Sequence, residues 1–284
     1  MAEDTWFTEV LYRDFRQQIR IKGTIYTGQT AYQKVDIFEN DTYGKILCLD
    51  GVFQTTESDE AYYHEMLVHP LMFSHNKPLS VLIIGGADGG ALREVLRHPI
   101  GKVVLVDIDD ELIDLCKYYL PSISNGAFED SRVKVSSGDG AIFVEQTEER
   151  FDVIIVDSTD PIGTGAVLFK HNFFVNCRRI LNNGGIIVTQ NGVPFFQFQE
   201  LANAHKSRKK IFSNAGFYVS PIPLYAGGYM AFGWASDDMN PGETKKSDLE
   251  RRILSTGINS LVYNHLAHKG YFSPPKFLQD LVDF

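Results

Sequence analysis

The sequence predicts an α/β fold, a mostly parallel sheet with helices on both faces, preceded by a small β region. Three observations point there. From Ser80 onward, short continuously apolar segments alternate with amphipathic ones. Val81-Leu82-Ile83-Ile84 runs into Gly85-Gly86-Ala87-Asp88-Gly89-Gly90, a glycine-rich crossing that lets backbone approach a ligand at the carboxyl edge of a parallel sheet. Before about residue 57 the pattern instead alternates apolar and polar, as half-buried strands do. The predicted division is 1–57 for the β region and 58–284 for the α/β region.

Taken in order, Gln17 to Thr27 and Ala31 to Glu39 read as strands and Asn40-Asp41-Thr42-Tyr43-Gly44 as a turn. Lys45 to Leu49 is a third strand, and Asp50-Gly51 a hairpin signal before Val52-Phe53-Gln54. Thr56 or Ser58 is expected to cap a helix over Asp59–Phe73, with acidic Asp59 and Glu60 in its first turn. Strands then follow at Val81–Ile84, Lys102–Val106, Arg132–Ser136, Asp152–Val156 and Gly185–Gln190. The helices between them cover Asp88–Arg97, Asp109–Tyr119, Asp139–Gln146 and His171–Leu181. A helix over Phe195–Ser213 precedes an antiparallel pair, Phe217–Pro223 and Tyr229–Ala235, and helical segments finish the chain.

Composition narrows the function classes. A chain of 284 residues with 44% hydrophobic and 22% charged residues is an ordinary soluble enzyme. Its net charge of -9 speaks against a nucleic-acid partner. The same charge suits a cationic substrate, although solubility alone explains it equally. Cys48, Cys116 and Cys177 lie in apolar runs without metal spacing, which predicts reduced core thiols and a cytoplasmic address. The acidic start of the chain lacks a signal-peptide pattern, and no apolar run approaches the ~20 residues of a membrane span.

Each strand of the α/β region ends on an acidic or polar residue: Asp88, Asp107, Asp139, Asp157 and Gln190. In a parallel sheet these positions converge on one edge. A single such aspartate reads as a helix cap; four in successive crossovers read as a nucleotide or nucleoside site. The loop is not the G-x-G-x-x-G fingerprint, nor is it a G-x-x-x-x-G-K-[ST] loop. Charge is more telling. A carboxylate ~4 Å from a ligand anion costs about 1 kcal/mol in water and several in a cleft. Asp88 therefore disfavours pyrophosphate and favours a cation, unless it is only a capping residue. Asp107 lies 22 residues beyond Gly85, close to the spacing of a ribose-binding acid. A ligand with a ribose, a positive charge and no phosphate fits, as S-adenosylmethionine and its relatives do. A decarboxylated form also removes the clash between Asp88 and the amino-acid carboxylate.

The second cluster is Asp157-Ser158-Thr159-Asp160-Pro161-Ile162-Gly163. Asp157 and Asp160 either form an Asx-turn with a cap or both face the cleft. With Asp88, three carboxylates would then crowd one pocket and raise one another's pKa unless a cation binds. A diamine satisfies such a pocket.

Gly85-Gly86-Ala87-Asp88-Gly89-Gly90-Ala91-Leu92-Arg93-Glu94-Val95, Asp139-Gly140 and Asp157-Ser158-Thr159-Asp160-Pro161 resemble the motifs of spermidine synthases, the polyamine aminopropyltransferases. The resemblance extends to Leu49-Asp50-Gly51-Val52-Phe53-Gln54-Thr55-Thr56-Glu57, Asp59-Glu60-Ala61-Tyr62-Tyr63-His64-Glu65-Met66, Gln190-Asn191-Gly192 and Pro221-Ile222-Pro223-Leu224-Tyr225, essentially the whole chain. It implies a Rossmann-like, methyltransferase-type catalytic domain behind the β domain, assembled as a homodimer or homotetramer. It implies transfer of the aminopropyl group of decarboxylated S-adenosylmethionine to putrescine, giving spermidine and 5'-methylthioadenosine. By resemblance Asp157 is the base, and Asp88, Asp160, Tyr63, His64 and Tyr225 hold the amine. Gln33, Gly85, Asp107, Asp139, Gly140, Ser158 and Thr164 are placed around the nucleoside. Ala87 and Thr164 depart from the family pattern, which commonly has glycine and proline there; Thr164's contact is the one the departure touches. The nucleoside is a co-substrate, and neither a cofactor nor a metal is expected.

Two other readings stand beside this one: a methyltransferase on the same fold, and a non-catalytic regulatory partner. Asp88 and the doubled carboxylates disfavour the first, and their retention disfavours the second. Without the resemblance His64 reads as a core-edge histidine, Tyr225 as a hairpin aromatic, and Gln33 as an unremarked strand residue.

Overall fold

The structure, a computed structural model, describes residues 5–159 and 163–282. β1 (Thr5–Glu9) pairs antiparallel with β2 (Gln17–Ile21). β3 (Gly23–Gln29), β4 (Lys34–Asn40), β5 (Gly44–Leu49) and β6 (Val52–Thr56) form an antiparallel meander. At the expected Asp50-Gly51 hairpin both residues have positive φ, 48° and 81°, as a type I′ turn requires. The segment expected as one strand, Gln17 to Thr27, is divided at Lys22, because the chain there changes its partner from β1 to β4. The strand expected from Ala31 starts only at Lys34, since Thr30 and Gln33 close a turn by a 3.0 Å backbone hydrogen bond.

α1 (Glu60–Ser74) is buried from His64 to its end. Neither Thr56 nor Ser58 caps it. Asp59 occupies the N-cap without capping, because its carboxylate accepts from the Thr56 hydroxyl at 2.6 Å and from Leu224 N–H at 2.8 Å. Tertiary partners have outbid the local cap. α1 is buried because it lies between two sheets. Val35, Ile37, Leu47 and Leu49 of the meander share one core with Met66, Leu67 and Leu71 of α1 and with the α/β sheet.

That sheet contains β7 (Ser80–Gly85), β8 (Lys102–Asp107), β9 (Val133–Ser137), β10 (Phe151–Asp157), β11 (Leu181–Gln190), β12 (Asn214–Ser220) and β13 (Met230–Ser236). Their order is β12-β13-β11-β10-β7-β8-β9, parallel from β7 to β11 and closed by the expected antiparallel pair. α2 (Gly90–Leu96), α3 (Asp110–Tyr119), α4 (Pro121–Ser124), α5 (Gly140–Gln146), α6 (His171–Ile180) and α7 (Phe198–Ile211) provide the crossovers and cover both faces. α8 (Lys246–Thr256), α9 (His268–Tyr271) and α10 (Lys276–Val282) close the chain. Side chains alternate between the faces: Val81, Ile83, Val153 and Ile155 enter one core, and Leu82, Ile84, Ile154 and Val156 enter the other. Chain order reverses between β7 and β10, which is where open α/β sheets bind ligands. No helix among the described residues is long and apolar enough to cross a membrane. The three cysteines are buried and unpaired, as expected of core thiols.

The C-terminal segment is tied to α1 by charge. The buried Glu65 carboxylate accepts from the N–H groups of Leu261, Val262 and Tyr263 at 2.7, 2.7 and 2.9 Å. Removing it strands three donors, each costing on the order of 1 kcal/mol or more. Glu65→Ala is therefore expected to destabilise the protein by about 3 kcal/mol in urea unfolding. A loss below about 1 kcal/mol would show that water satisfies these donors instead.

Candidate active site

The parallel register brings Gly85 of β7 opposite Asp157 of β10, and Asp107 of β8 opposite Ser137 of β9. The strand-end aspartates therefore converge, and they open onto a cavity of about 460 Å³. Asp88, Asp107, Asp139 and Asp157 line it, together with Gly85, Gly140 and Ser158. Tyr63 and His64 of α1, Tyr225, and Gln33 from the N-terminal β region complete the wall. Asp160 and the side chain of Thr164 lie outside the described residues.

The β7–α2 crossing works through backbone proximity. Gly85 and Gly86 have φ of +83° and +79°, and a β-carbon on Gly85 would strike the Asp157 carbonyl. Gly86 N–H donates to that carbonyl at 2.9 Å, which fixes the loop to the end of β10. Asp88 then serves both readings open to it from sequence. Its Oδ1 accepts from Gly90 N–H at 2.8 Å at the start of α2, and its Oδ2 faces His64 Nε2 at 3.4 Å. Asp139 is also double-purposed, capping α5 through Ala141 N–H at 2.7 Å while lining the cavity.

Around Asp157 the geometry is specific. Tyr63 Oη donates to its Oδ1 at 2.7 Å. Burial, with the negative charge of Asp88 added, raises Asp157 to about 6. Asp88 goes the other way: burial pushes it up, but the adjacent His64 outweighs that and holds it below the ordinary carboxylate value. Two neighbouring carboxylates thus acquire different proton affinities from their surroundings. Tyr225 packs edge-on to Tyr63 at 6.3 Å, and its hydroxyl donates to the Gln54 carbonyl, so a residue of β6 is tied to the cavity wall. Gln190 donates to the Ser158 carbonyl at 3.0 Å and holds the turn after β10.

The β8 end of the cavity depends on a residue not singled out from sequence. Asp109 accepts from Thr30 Oγ1 at 2.7 Å and from Gln33 Nε2 at 2.9 Å, stapling the N-terminal turn over the end of β8. Its own N–H donates to Asp107 Oδ1 at 2.9 Å. Gln33 therefore reaches the cavity with its amide nitrogen already engaged. Asp107 is raised by burial to about 7. Glu60 reads from sequence only as a first-turn acid of the helix and Arg93 only as a motif residue; their place behind His64 is not evident there. The i,i+4 spacing of Glu60 and His64 was the available signal.

Among the described residues, two groups of side chains have the spacing of a metal site: His64, Asp88 and Asp157, and Glu65, His69 and Glu94. In the first, both His64 nitrogens face carboxylates, Glu60 at 2.7 Å and Asp88 at 3.4 Å, so neither lone pair is directed at an ion. In the second, Glu65 holds three backbone donors, and Glu94 holds Arg93 and Arg97 at 2.8 and 2.6 Å. The cavity offers carboxylates to a cation, with Asp88 held ionised and Asp157 and Asp107 raised toward neutral pH.

Comparison with known proteins identifies the family. The model of the spermine/spermidine synthase domain matches residues 60–246, and that of the spermidine synthase tetramerisation domain matches 5–57. The polyamine aminopropyltransferase of Ruegeria sp. (strain TM1040) is 44% identical over 282 residues, 99% of each chain. Polyamine aminopropyltransferase 1 of Pseudomonas aeruginosa is 44% identical over 277 residues, 97% of each chain. Among solved structures, a spermidine synthase in complex with the transition state analogue AdoDATO superposes with a TM-score of 0.93 at 33% identity, covering 100% of this chain and 97% of that one. The spermidine synthase from Thermotoga maritima gives 0.92 at 33% identity, covering 99% and 95%.

Asp107 allows a stability test of the site's electrostatics. Its folded-state pKa is raised, so between pH ~4 and ~7 the folded state keeps a proton that the unfolded chain has lost, and stability falls as pH rises. A rise from the ordinary 3.8 to about 7 corresponds to at most about 4 kcal/mol. Asp107→Asn retains an acceptor for Asp109 N–H. It is expected to be more stable than wild type in urea at pH 8, with the advantage gone at about pH 4. Equal stabilities at both pH values would contradict this.

Proposed function

The chain belongs to the spermine/spermidine synthase family, and we propose that it transfers the aminopropyl group of decarboxylated S-adenosylmethionine to putrescine. The products are spermidine and 5'-methylthioadenosine. The observation that carries this reading is the pairing of Asp157, held by Tyr63 with its carboxyl raised to about 6, with Asp88, held anionic by His64. A cavity walled by carboxylates suits a diamine and a sulfonium that carries no carboxylate of its own.

In the proposed reaction the amine nitrogen attacks the carbon next to sulfur. A C–N bond forms, the C–S bond breaks, and its electron pair leaves on sulfur as a neutral thioether. The leaving group needs no activation, and no cofactor or metal enters the scheme. The amine is the difficulty, because an alkylammonium resembles lysine with a pKa near ~10.4. Asp88 and Asp160 hold the ammonium end, with His64 and Tyr225 completing that subsite, and Asp157 orients the attacking nitrogen and takes its proton. Raising Asp157 from 3.8 to about 6 narrows the gap to the ammonium by about 3 kcal/mol. A cation beside Asp157 lowers that carboxyl again, and loss of the amine proton restores it. Alignment of the two substrates supplies much of the remaining acceleration. Gln33, Gly85, Asp107, Asp139, Gly140, Ser158 and Thr164 take the nucleoside, with Asp107 on the ribose and the Asp139 turn near adenine.

Assembly as a homodimer or homotetramer belongs to the same proposal, supported by the tetramerisation-domain match over 5–57. A cytoplasmic setting agrees with three buried, unpaired cysteines. The deciding experiment incubates the protein with a panel of amines and, in parallel, decarboxylated S-adenosylmethionine or S-adenosylmethionine, and reads the products by mass spectrometry. Spermidine from putrescine is the expected result; methyl transfer from S-adenosylmethionine instead would overturn the reading. Asp157→Asn is expected to slow turnover at least about a hundredfold while its circular dichroism matches wild type. Wild-type rates in that variant would remove Asp157 from its role.

A further inference from the structure

Behind the amine subsite stands a buried chain of alternating charges. Arg93 of α2 donates to Glu60 Oε2 at 2.8 Å, and the same oxygen meets His64 Nδ1 at 2.7 Å. His64 Nε2 faces Asp88 Oδ2 at 3.4 Å, and Asp88 lines the cavity. The His64 ring has only 1% of its surface exposed and packs against the start of α2, where a β-carbon on Gly90 would strike it. The backbone at the start of α2 therefore holds the ring in place on that side.

Both partners are carboxylates, which accept hydrogen bonds and donate none when ionised. A neutral imidazole has one N–H and would turn a lone pair toward either Glu60 or Asp88. Only the imidazolium presents an N–H to both, as a 2.7 Å hydrogen bond to Glu60 and a longer 3.4 Å charge contact to Asp88. We propose that Glu60 is a positioning residue: anchored by Arg93, it fixes His64 as an imidazolium, and His64 in turn fixes Asp88 as the anionic anchor of the amine.

The groups facing His64 are Glu60 and Asp59 on its own helix, Asp88 on the β7–α2 loop, Arg93 on α2 and Asp157 on β10. The balance among them agrees with the geometry. Burial alone lowers His64, but Asp88 and Glu60 outweigh it and hold the ring well above the ordinary histidine value. Glu60 is raised by burial and pulled below the ordinary value by His64 and Arg93. The relay leaves the two substrate-facing carboxyls unequal: Asp88 stays charged beside a fixed cation, and Asp157 remains the one that takes a proton.

The inference rests on reading Asp88 as an amine ligand, and its test separates from that of the reaction. Nitrogen-15 spectra of the histidine rings in the wild-type protein at pH 8, with His64→Asn used only for assignment, should show His64 with both nitrogens protonated. A neutral His64 would overturn the proposal. In Glu60→Gln the amide oxygen still accepts from Arg93 and faces Nδ1, but the negative charge is gone, so the imidazolium loses one of the two anions that hold it. The KM for putrescine is then expected to rise about tenfold, with the KM for the nucleoside within about threefold of wild type. An unchanged putrescine KM, or an equal rise in both constants, would also overturn it. Should Glu60→Gln not fold, the wild-type spectrum decides. Absence of any transfer by the wild-type protein would refute the reaction, whereas the protonation of His64 is read independently of turnover.

Discussion

The end of β7 meets the end of β10 with Gly85 opposite Asp157, and Gly86 N–H bonds to the Asp157 carbonyl at 2.9 Å. No side chain separates the two strands at this point. The glycine loop can therefore press against β10, and the carboxylates of Asp88 and Asp157 come to share one cavity. A β-carbon on Gly85 would strike the Asp157 carbonyl and push the crossing outward. The rest of the site inherits its spacing from this contact.

Crowding like charges in a dry place costs free energy unless their surroundings differentiate them. Asp88 has a backbone N–H and His64 beside it and is kept ionised. For Asp157, burial and the repulsion of Asp88 outweigh the attraction of His64 and the Tyr63 hydroxyl, and it rises to about 6. Asp107 is raised by burial to about 7. Three aspartates on one sheet edge thus hold protons with three different strengths. A cationic ligand relieves their repulsion, and this is the physical basis for the proposed substrates.

The N-terminal β region is part of the site and not an appendage. Its inward residues Val35, Ile37, Leu47 and Leu49 share a core with α1, and polar ties cross the same boundary. Asp109 fastens Thr30 and Gln33 over the β8 end of the cavity, while the Gln54 carbonyl fastens Tyr225 beside Tyr63. Cavity walls drawn from both units make the volume between them depend on how the two pack.

Much of this architecture is legible in the chain. Apolar runs bounded by Gly and Asp announce parallel strands, and one aspartate after each strand announces a loaded sheet edge, because strand period and crossover direction are local consequences of residue type. The roles of Asp88 and Asp139 were open between cap and cleft, and each does both, one oxygen or face for each task. The sequence and the structure part at the start of α1, where Asp59 takes the N-cap position expected for Thr56 or Ser58 and turns its carboxylate to the Thr56 hydroxyl and Leu224 N–H, and at Lys22, where one expected strand splits. Asp109 reads only as the start of a helix and Glu60 only as a first-turn acid, since the partners of a charged residue at a helix start are not evident until its neighbours are known. The sequence alone determined which elements form and which edge carries the carboxylates. Only the tertiary structure decided which carboxylate is paired and which is left to take a proton, because burial and the distance to a counter-charge are properties of residues far apart in the chain.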